Sequence, residues 1–268
     1  MRLGALLFGY AFLYAPIALL VLGSFNESRL TTVWSGFSLR WYRALAQDDA
    51  LREAAFLSLR LAAVSATGAT VLGAVAGIAL ARWGRFRGRA VFTGLLAAPL
   101  VLPDLLFGLA LLLLFVVMER AVGWPAGRGA GTIVLAHITL GIAYVAFTVR
   151  ARLAGQGVAL EQAAADLGAP PWVVARRITL PLLAPALAAG WALAFVLSLD
   201  DVVVASFVAG PGATTLPMVM FSTLRLGATP LLNALASVLL AVTVLGFLAA
   251  SWVAARRGAA VAGGAGGH

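Results

Sequence analysis

The sequence has no lysine, no cysteine, two histidines and few charges, with Asp, Glu and Arg together making 11% of 268 residues. All 19 of its strongly basic side chains are therefore arginines. Each absence excludes something. The phosphate-binding loop of an ATPase needs a Gly-rich turn followed by Lys and Ser or Thr, so this chain cannot carry one. Without cysteine there is neither a disulfide framework nor a thiolate metal site. His137 and His268 are too few for a histidine-rich metal site, and no metal is expected. His137, inside GTIVLAHITLGIAY, is expected to be a helix residue packed against a neighbour.

What remains is overwhelmingly apolar: 62% hydrophobic residues and a mean hydropathy of +1.01. Soluble domains are nearer half apolar and a quarter charged, so a soluble globule is excluded. The formal net charge of +9 need not mean nucleic acid, because membrane proteins concentrate basic residues in cytoplasmic loops. No nucleic-acid partner is expected.

Crossing a bilayer takes about 20 apolar residues per helix, and six such runs predict an all-α membrane protein. They cover roughly 3–23, 56–81, 90–117, 131–149, 182–199 and 231–255. Barrel strands would instead alternate over about 10 residues. The first run is too long for a signal-peptide core and has no small-residue cleavage site, so it is expected to be retained. Residues 1–257 are read as a single transmembrane domain and 258–268, a small-residue tail, as disordered.

Arginine placement gives the orientation. One face receives Arg2, the cluster Arg82, Arg85, Arg87 and Arg89, then Arg150, Arg152, Arg176, Arg177, Arg256 and Arg257. The other receives Arg29, Arg40, Arg43 and Arg52, diluted by Glu27, Asp48, Asp49 and Glu53, and then Arg120, Arg128 and Arg225. The denser first group predicts cytoplasmic termini and a cytoplasmic loop over 150–181. In the first outer loop, Trp34, Phe37, Trp41 and Tyr42 suit a surface helix at the lipid–water boundary.

The cytoplasmic loop contains EQAAADLGAPPWVVARRITLP, from Glu161 to Pro181. Glu161–Leu167 predicts a short helix, and Gly168 permits a turn that a side chain would resist. A second helix opening at Pro170 or Pro171 is expected to run to about Thr179, with Val173, Val174 and Ile178 as its apolar stripe and Arg176 and Arg177 wet. Pro181 and Pro185 then mark entry into the next span. The joint spacing of Ala163, Ala164, Gly168, Ile178, Leu180 and Pro181 resembles the coupling motif (EAA loop) of ABC-importer membrane subunits. The chain departs from that motif at one position, where Gln162 stands in place of the usual Glu and Glu161 precedes it.

The stretch from Leu180 to Leu240 and the GFSLRWY element extend the likeness to the C-type permease group of spermidine/putrescine importers. That resemblance implies a type I importer permease fold and a coupling role for Glu161, Gln162, Ala163, Ala164, Asp166, Gly168, Ile178, Leu180 and Pro181. It also implies a second homologous permease, two cytoplasmic ATPase subunits that carry the ATP and Mg, and a periplasmic substrate-binding protein. The location implied is the bacterial inner membrane. Relatives of this pattern also carry opines or aminophosphonates, other cationic or zwitterionic solutes.

Carboxylates at membrane depth are costly unless they face a cavity or a partner. Asp104 follows Pro99 and Pro103, which are expected to kink the third span. Asp200 and Asp201 interrupt an apolar run that continues to Ala209, which argues against a plain surface end. All three are candidates to line a cation pathway, a structural hydrogen bond being the alternative for Asp104. A secondary transporter would need paired repeats, and none is visible. A membrane enzyme would need a nucleophile, a metal cluster or an acid–base pair, and the adjacent aspartates have no evident third member.

Overall fold

The structure is a computed structural model in which residues 2–31, 33–227 and 229–245 are described. In chain order the helices are α1 (Arg2–Gly23), α2 (Arg40–Gln47), α3 (Asp49–Arg82), α4 (Arg89–Val101), α5 (Asp104–Val122), α6 (Ala130–Gln156), α7 (Ala159–Asp166) and α8 (Pro171–Val174). A π-helical turn (Ala175–Thr179) follows, then α9 (Leu180–Asp200), α10 (Val203–Val208), α11 (Leu216–Leu226) and α12 (Pro230–Leu245). Among the described residues there is no β-strand, only an isolated bridge between Asn26 and Phe37. Among the described residues five helices are long and apolar enough to cross a membrane: α1, α3, α5, α6 and the continuous stretch Pro171–Asp200. The tail expected over 258–268 and the end of the run 231–255 lie outside the described residues.

The expected span 90–117 is two helices. Pro103 has no N–H to continue the ladder, and the residue before a proline is pushed out of the helical region. Leu102 accordingly takes φ −72°, ψ 135°, and α5 restarts at Asp104. The helix expected to begin at Phe56 starts earlier, at Asp49. Within it Arg60 and Arg82 bracket a stretch of about 30 Å at 1.5 Å per residue, the thickness of a hydrocarbon core.

The chain divides into two compact units, Met1–Arg52 with Met220–His268, and Glu53–Val219. In the first, the outer loop is knit by Asn26, which is almost fully buried. Its amide donates to the carbonyls of Val33 (2.7 Å) and Leu30 (3.3 Å), and its Oδ1 accepts from the N–H groups of Ser28 and Ser35. Trp41 and Tyr42 were expected at the lipid boundary. The Trp41 indole donates to the Asn26 carbonyl at 2.7 Å and the Tyr42 hydroxyl meets Ser24 at 2.6 Å. Trp34 and Phe37 remain exposed.

In the second unit, α3 and α6 approach closely because small residues line the contact, as helices do in lipid. A Cβ on Gly77 would stand 2.6 Å from the Ala146 carbonyl oxygen, and one on Gly73 2.6 Å from the Val145 Cβ. On α6, Val145 and Val149 are fully buried, and they cluster with Ala66 and Ala69 of α3 and Leu183 and Ala194 of α9. A second cluster joins α5, α6 and α10 through Phe107, Phe115, Ile133, Val204 and Val208. The outer faces stay apolar and uncovered: Val71, Val91 and Val117 are all more than half exposed, as lipid-facing side chains are.

Candidate functional site

Two polar regions interrupt this apolar unit, at opposite ends of one helical rod. The first is the segment that leaves α6. Helix α7 ends in a turn whose Gly168 has φ +80°, with the Gly168 N–H donating to Ala165 and the Ala169 N–H to Ala164. That left-handed conformation favours glycine. Pro170 precedes α8, and Pro171 occupies its first turn, where a missing N–H is harmless.

The helix expected to run to about Thr179 does not stop there. Helix α8, the π turn and α9 run as one 30-residue rod from Pro171 to Asp200, about 45 Å long. The π turn sits just before Pro181, whose missing N–H leaves an earlier carbonyl to be accommodated. Single π turns of this kind concentrate at functional sites.

Glu161 does not project into solvent. Its Oε2 lies 2.8 Å from Arg82 Nε, with side chains only 19% and 18% exposed, and its Oε1 accepts from the Thr179 hydroxyl at 2.8 Å. The same guanidinium donates to the carbonyls of Gly157 (2.7 Å) and Leu153 (3.4 Å) at the end of α6. One cation thus meets the ends of α3 and α6, the helix α7 and, through Glu161, the π turn. Gln162, Ala163, Asp166 and Gly168 are exposed, Ala164 and Ile178 are half-buried, and Leu180 and Pro181 are exposed. Leu160, Leu167 (89% exposed) and Trp172 (67% exposed) add an uncovered apolar surface. Exposed apolar patches serve as contact surfaces for a protein partner or for the membrane. A cavity of about 450 Å³ separates Ile78 and Arg82 of α3 from Ala165, Ala169, Val174 and Leu180.

The second region is the far end of the rod. Asp201 follows α9 and accepts from the Val204 N–H (3.1 Å) and the Ala205 N–H (2.6 Å), which caps α10. Its Oδ2 also lies 3.1 Å from His137 Nε2, and His137 Nδ1 is 2.6 Å from the Ser198 hydroxyl. A carboxylate can only accept, so Nε2–H donates to Asp201. His137 is 4% exposed. Asp200, by contrast, is exposed, and it lies within electrostatic reach of Asp201, Asp104 and His137. Asp104 is exposed at the start of α5. The breaks at Pro103 and Asp201 bring Asp104 within electrostatic reach of Asp200, which is adjacent to Asp201 but about 100 residues from Asp104 in sequence. Among the described residues no group of three or more His, Cys, Asp or Glu could hold a metal.

The sequence reading missed Arg82, counted there only for topology, and the pairing of His137 with Asp201. An arginine closing an apolar run, and a histidine within one, were the available signals.

Residues 69–258 match the family described as binding-protein-dependent transport system inner membrane component. The chain is 54% identical over 249 residues to the putrescine transport system permease protein PotI of Escherichia coli (strain K12), covering 92% of this chain and 89% of that protein. It is 41% identical over 245 residues to the spermidine/putrescine transport system permease protein PotC of the same strain, covering 91% and 90%. A chain of a bacterial ABC transporter involved in the import of the acidic polysaccharide alginate shares the fold with a TM-score of 0.70 at 15% identity, covering 93% of this chain and 94% of that one. A helical membrane fold, a match to permeases over about nine tenths of the chain and a family model spanning both polar regions agree: the chain belongs to the inner-membrane permease components of binding-protein-dependent ABC importers.

Proposed function

We propose that this permease forms half of a translocation pathway for polyamines, with putrescine the first candidate. A second homologous permease completes the pathway, and two cytoplasmic ATPase subunits carrying ATP and Mg dock on the segment 159–181. A periplasmic binding protein delivers the solute, and both termini face the cytoplasm, a reading the arginine distribution supports. The observation that carries the substrate class is the gathering of Asp104, Asp200 and Asp201. Putrescine carries two ammonium groups, and removing their water is costly unless carboxylates replace it. Asp201 is committed to His137 and α10, so Asp200 and Asp104 are the groups offered to the cation. The identities to permeases named for putrescine and spermidine/putrescine support the same choice.

A zwitterionic solute is the second reading, supported by 30% identity to the putative 2-aminoethylphosphonate transport system permease protein PhnV of Salmonella typhimurium. The test is uptake of putrescine, spermidine and 2-aminoethylphosphonate by the reconstituted transporter, with and without Asp200→Asn. Saturable putrescine uptake that falls in the variant supports the first reading. Uptake of the aminophosphonate alone establishes the second.

A further inference from the structure

We infer that Arg82 is the positioning residue through which movement of the coupling segment reaches the transmembrane helices. The inference rests on the proposal that an ATPase docks at 159–181. Four structural parts converge on this guanidinium: its own helix α3, the Leu153 and Gly157 carbonyls ending α6, Glu161 on α7, and Thr179 in the π turn through Glu161.

The surroundings make this contact decisive. A cavity of about 450 Å³ is lined by Ile78 and Arg82 of α3 and by Ala165 and Val174 of α7 and α8. Apolar contact across a gap transmits little, since dispersion falls steeply with separation. The Arg82–Glu161 pair bridges one side of that gap at 2.8 Å and is largely shielded from water. An ion pair shielded from water is screened less than a surface pair. The covalent links are compliant by comparison: Gly157 (φ +67°) leads into α7 and Gly168 (φ +80°) leads out.

From Arg82 two rigid members run to the other polar region. Helix α3 lies against α6 through Gly73 and Gly77, and α6 carries His137, which holds Asp201. A displacement of α7 is therefore delivered to α3 and α6 together. Without Arg82 it is left to the rod α8–α9 alone. Glu161 thus acts within its own chain, next to the position where related motifs usually place their Glu.

The test compares wild type, Glu161→Gln, Arg82→Gln and Arg82→Lys in the complete transporter reconstituted in lipid. Co-purified ATPase, ATP hydrolysis and putrescine uptake are measured on the same preparations. Glu161→Gln is the mild variant, because its amide oxygen still accepts from Thr179. The expected result is ATPase recovery within about twofold of wild type in all variants. Transport per ATP hydrolysed should fall at least fivefold in Glu161→Gln and Arg82→Gln, with Arg82→Lys intermediate. An unchanged transport-to-hydrolysis ratio in Glu161→Gln overturns the inference. Loss of the ATPase together with transport in that variant also overturns it, by making the pair a docking or folding element. Gly168→Val keeps the two proposals apart: normal ATPase recovery there would sink the docking reading itself.

Discussion

The rod from Pro171 to Asp200 has a similar arrangement near each end and puts it to different use. Near its start, Glu161 is held by Arg82 and Thr179 while the adjacent Gln162 is exposed. At its finish, Asp201 is held by His137 and two N–H groups of α10 while the adjacent Asp200 is exposed. In both places one of two sequence neighbours builds the site and the other is presented to whatever arrives. The difference is charge. The presented group is a neutral amide on the coupling segment and a carboxylate at the far end, as a protein surface on one side and a cation on the other would favour.

The sharpest way to break this comparison is to disable one end alone. A Cβ added at Gly168 would meet no atom within 4 Å, but the φ of +80° there disfavours any side chain, most of all a β-branched one. Gly168→Val should reduce uptake to background and deplete co-purified ATPase, while the chain still inserts. Membrane fractionation, pull-down and uptake measure all three. Normal uptake would remove the turn from the coupling role.

At the other end the two aspartates should separate. Asp200→Asn is expected to lower putrescine uptake about tenfold or more, since one charge-assisted hydrogen bond contributes roughly 1.5–3 kcal/mol. Its thermal stability should stay near wild type because Asp200 caps nothing. Asp201→Ala removes a helix cap and strands His137, a loss of about 2 kcal/mol, and should lower the melting temperature by several degrees. Uptake and nanodisc melting curves read both. Equal effects of the two substitutions on stability would erase the distinction between building and presented carboxylates.

A smaller effect is expected from the uncovered apolar surface. Trp172→Ala removes a large, 67% exposed side chain from the face proposed to dock the ATPase. Aromatic anchors at interfaces commonly contribute about 2 kcal/mol, so ATPase affinity should fall roughly tenfold while ATP turnover in the assembled fraction persists. Titrating ATPase onto the reconstituted permease measures this.

These contrasts also mark where the sequence was legible. Span length, arginine asymmetry and the small-residue spacing from Ala163 to Pro181 are local properties, and each locates an element directly. The prolines at 99 and 103 announced a disturbance in the third span, though not a complete break at Leu102. Pro181 marked the entry into the next span, though not the π turn that makes it continuous with α8. Asp104 and Asp200 were visible as anomalies in apolar runs. Their convergence depends on how α4, α5 and α9 pack, which no local pattern encodes. The same holds for Arg82, whose contacts with Gly157 and Glu161 span 75 and 79 residues of chain.

The smallest change expected is also the most discriminating. Gln162→Glu restores the charge that related coupling motifs usually carry at this position. If Glu161 already serves within the chain, the new carboxylate adds only an exposed charge beside a filled ion pair. Two exposed charges several ångströms apart interact by well under about 1 kcal/mol in water, and physiological salt screens them further. The Arg82 pair, largely shielded, should persist. Uptake and ATPase affinity of Gln162→Glu are therefore expected within about threefold of wild type, measured at two salt concentrations. A tenfold gain in affinity that vanishes at high salt would show that the ATPase reads charge at 162. In that case the two ends of the rod would present the same kind of group, and the neutral amide would be a weakened version of the contact.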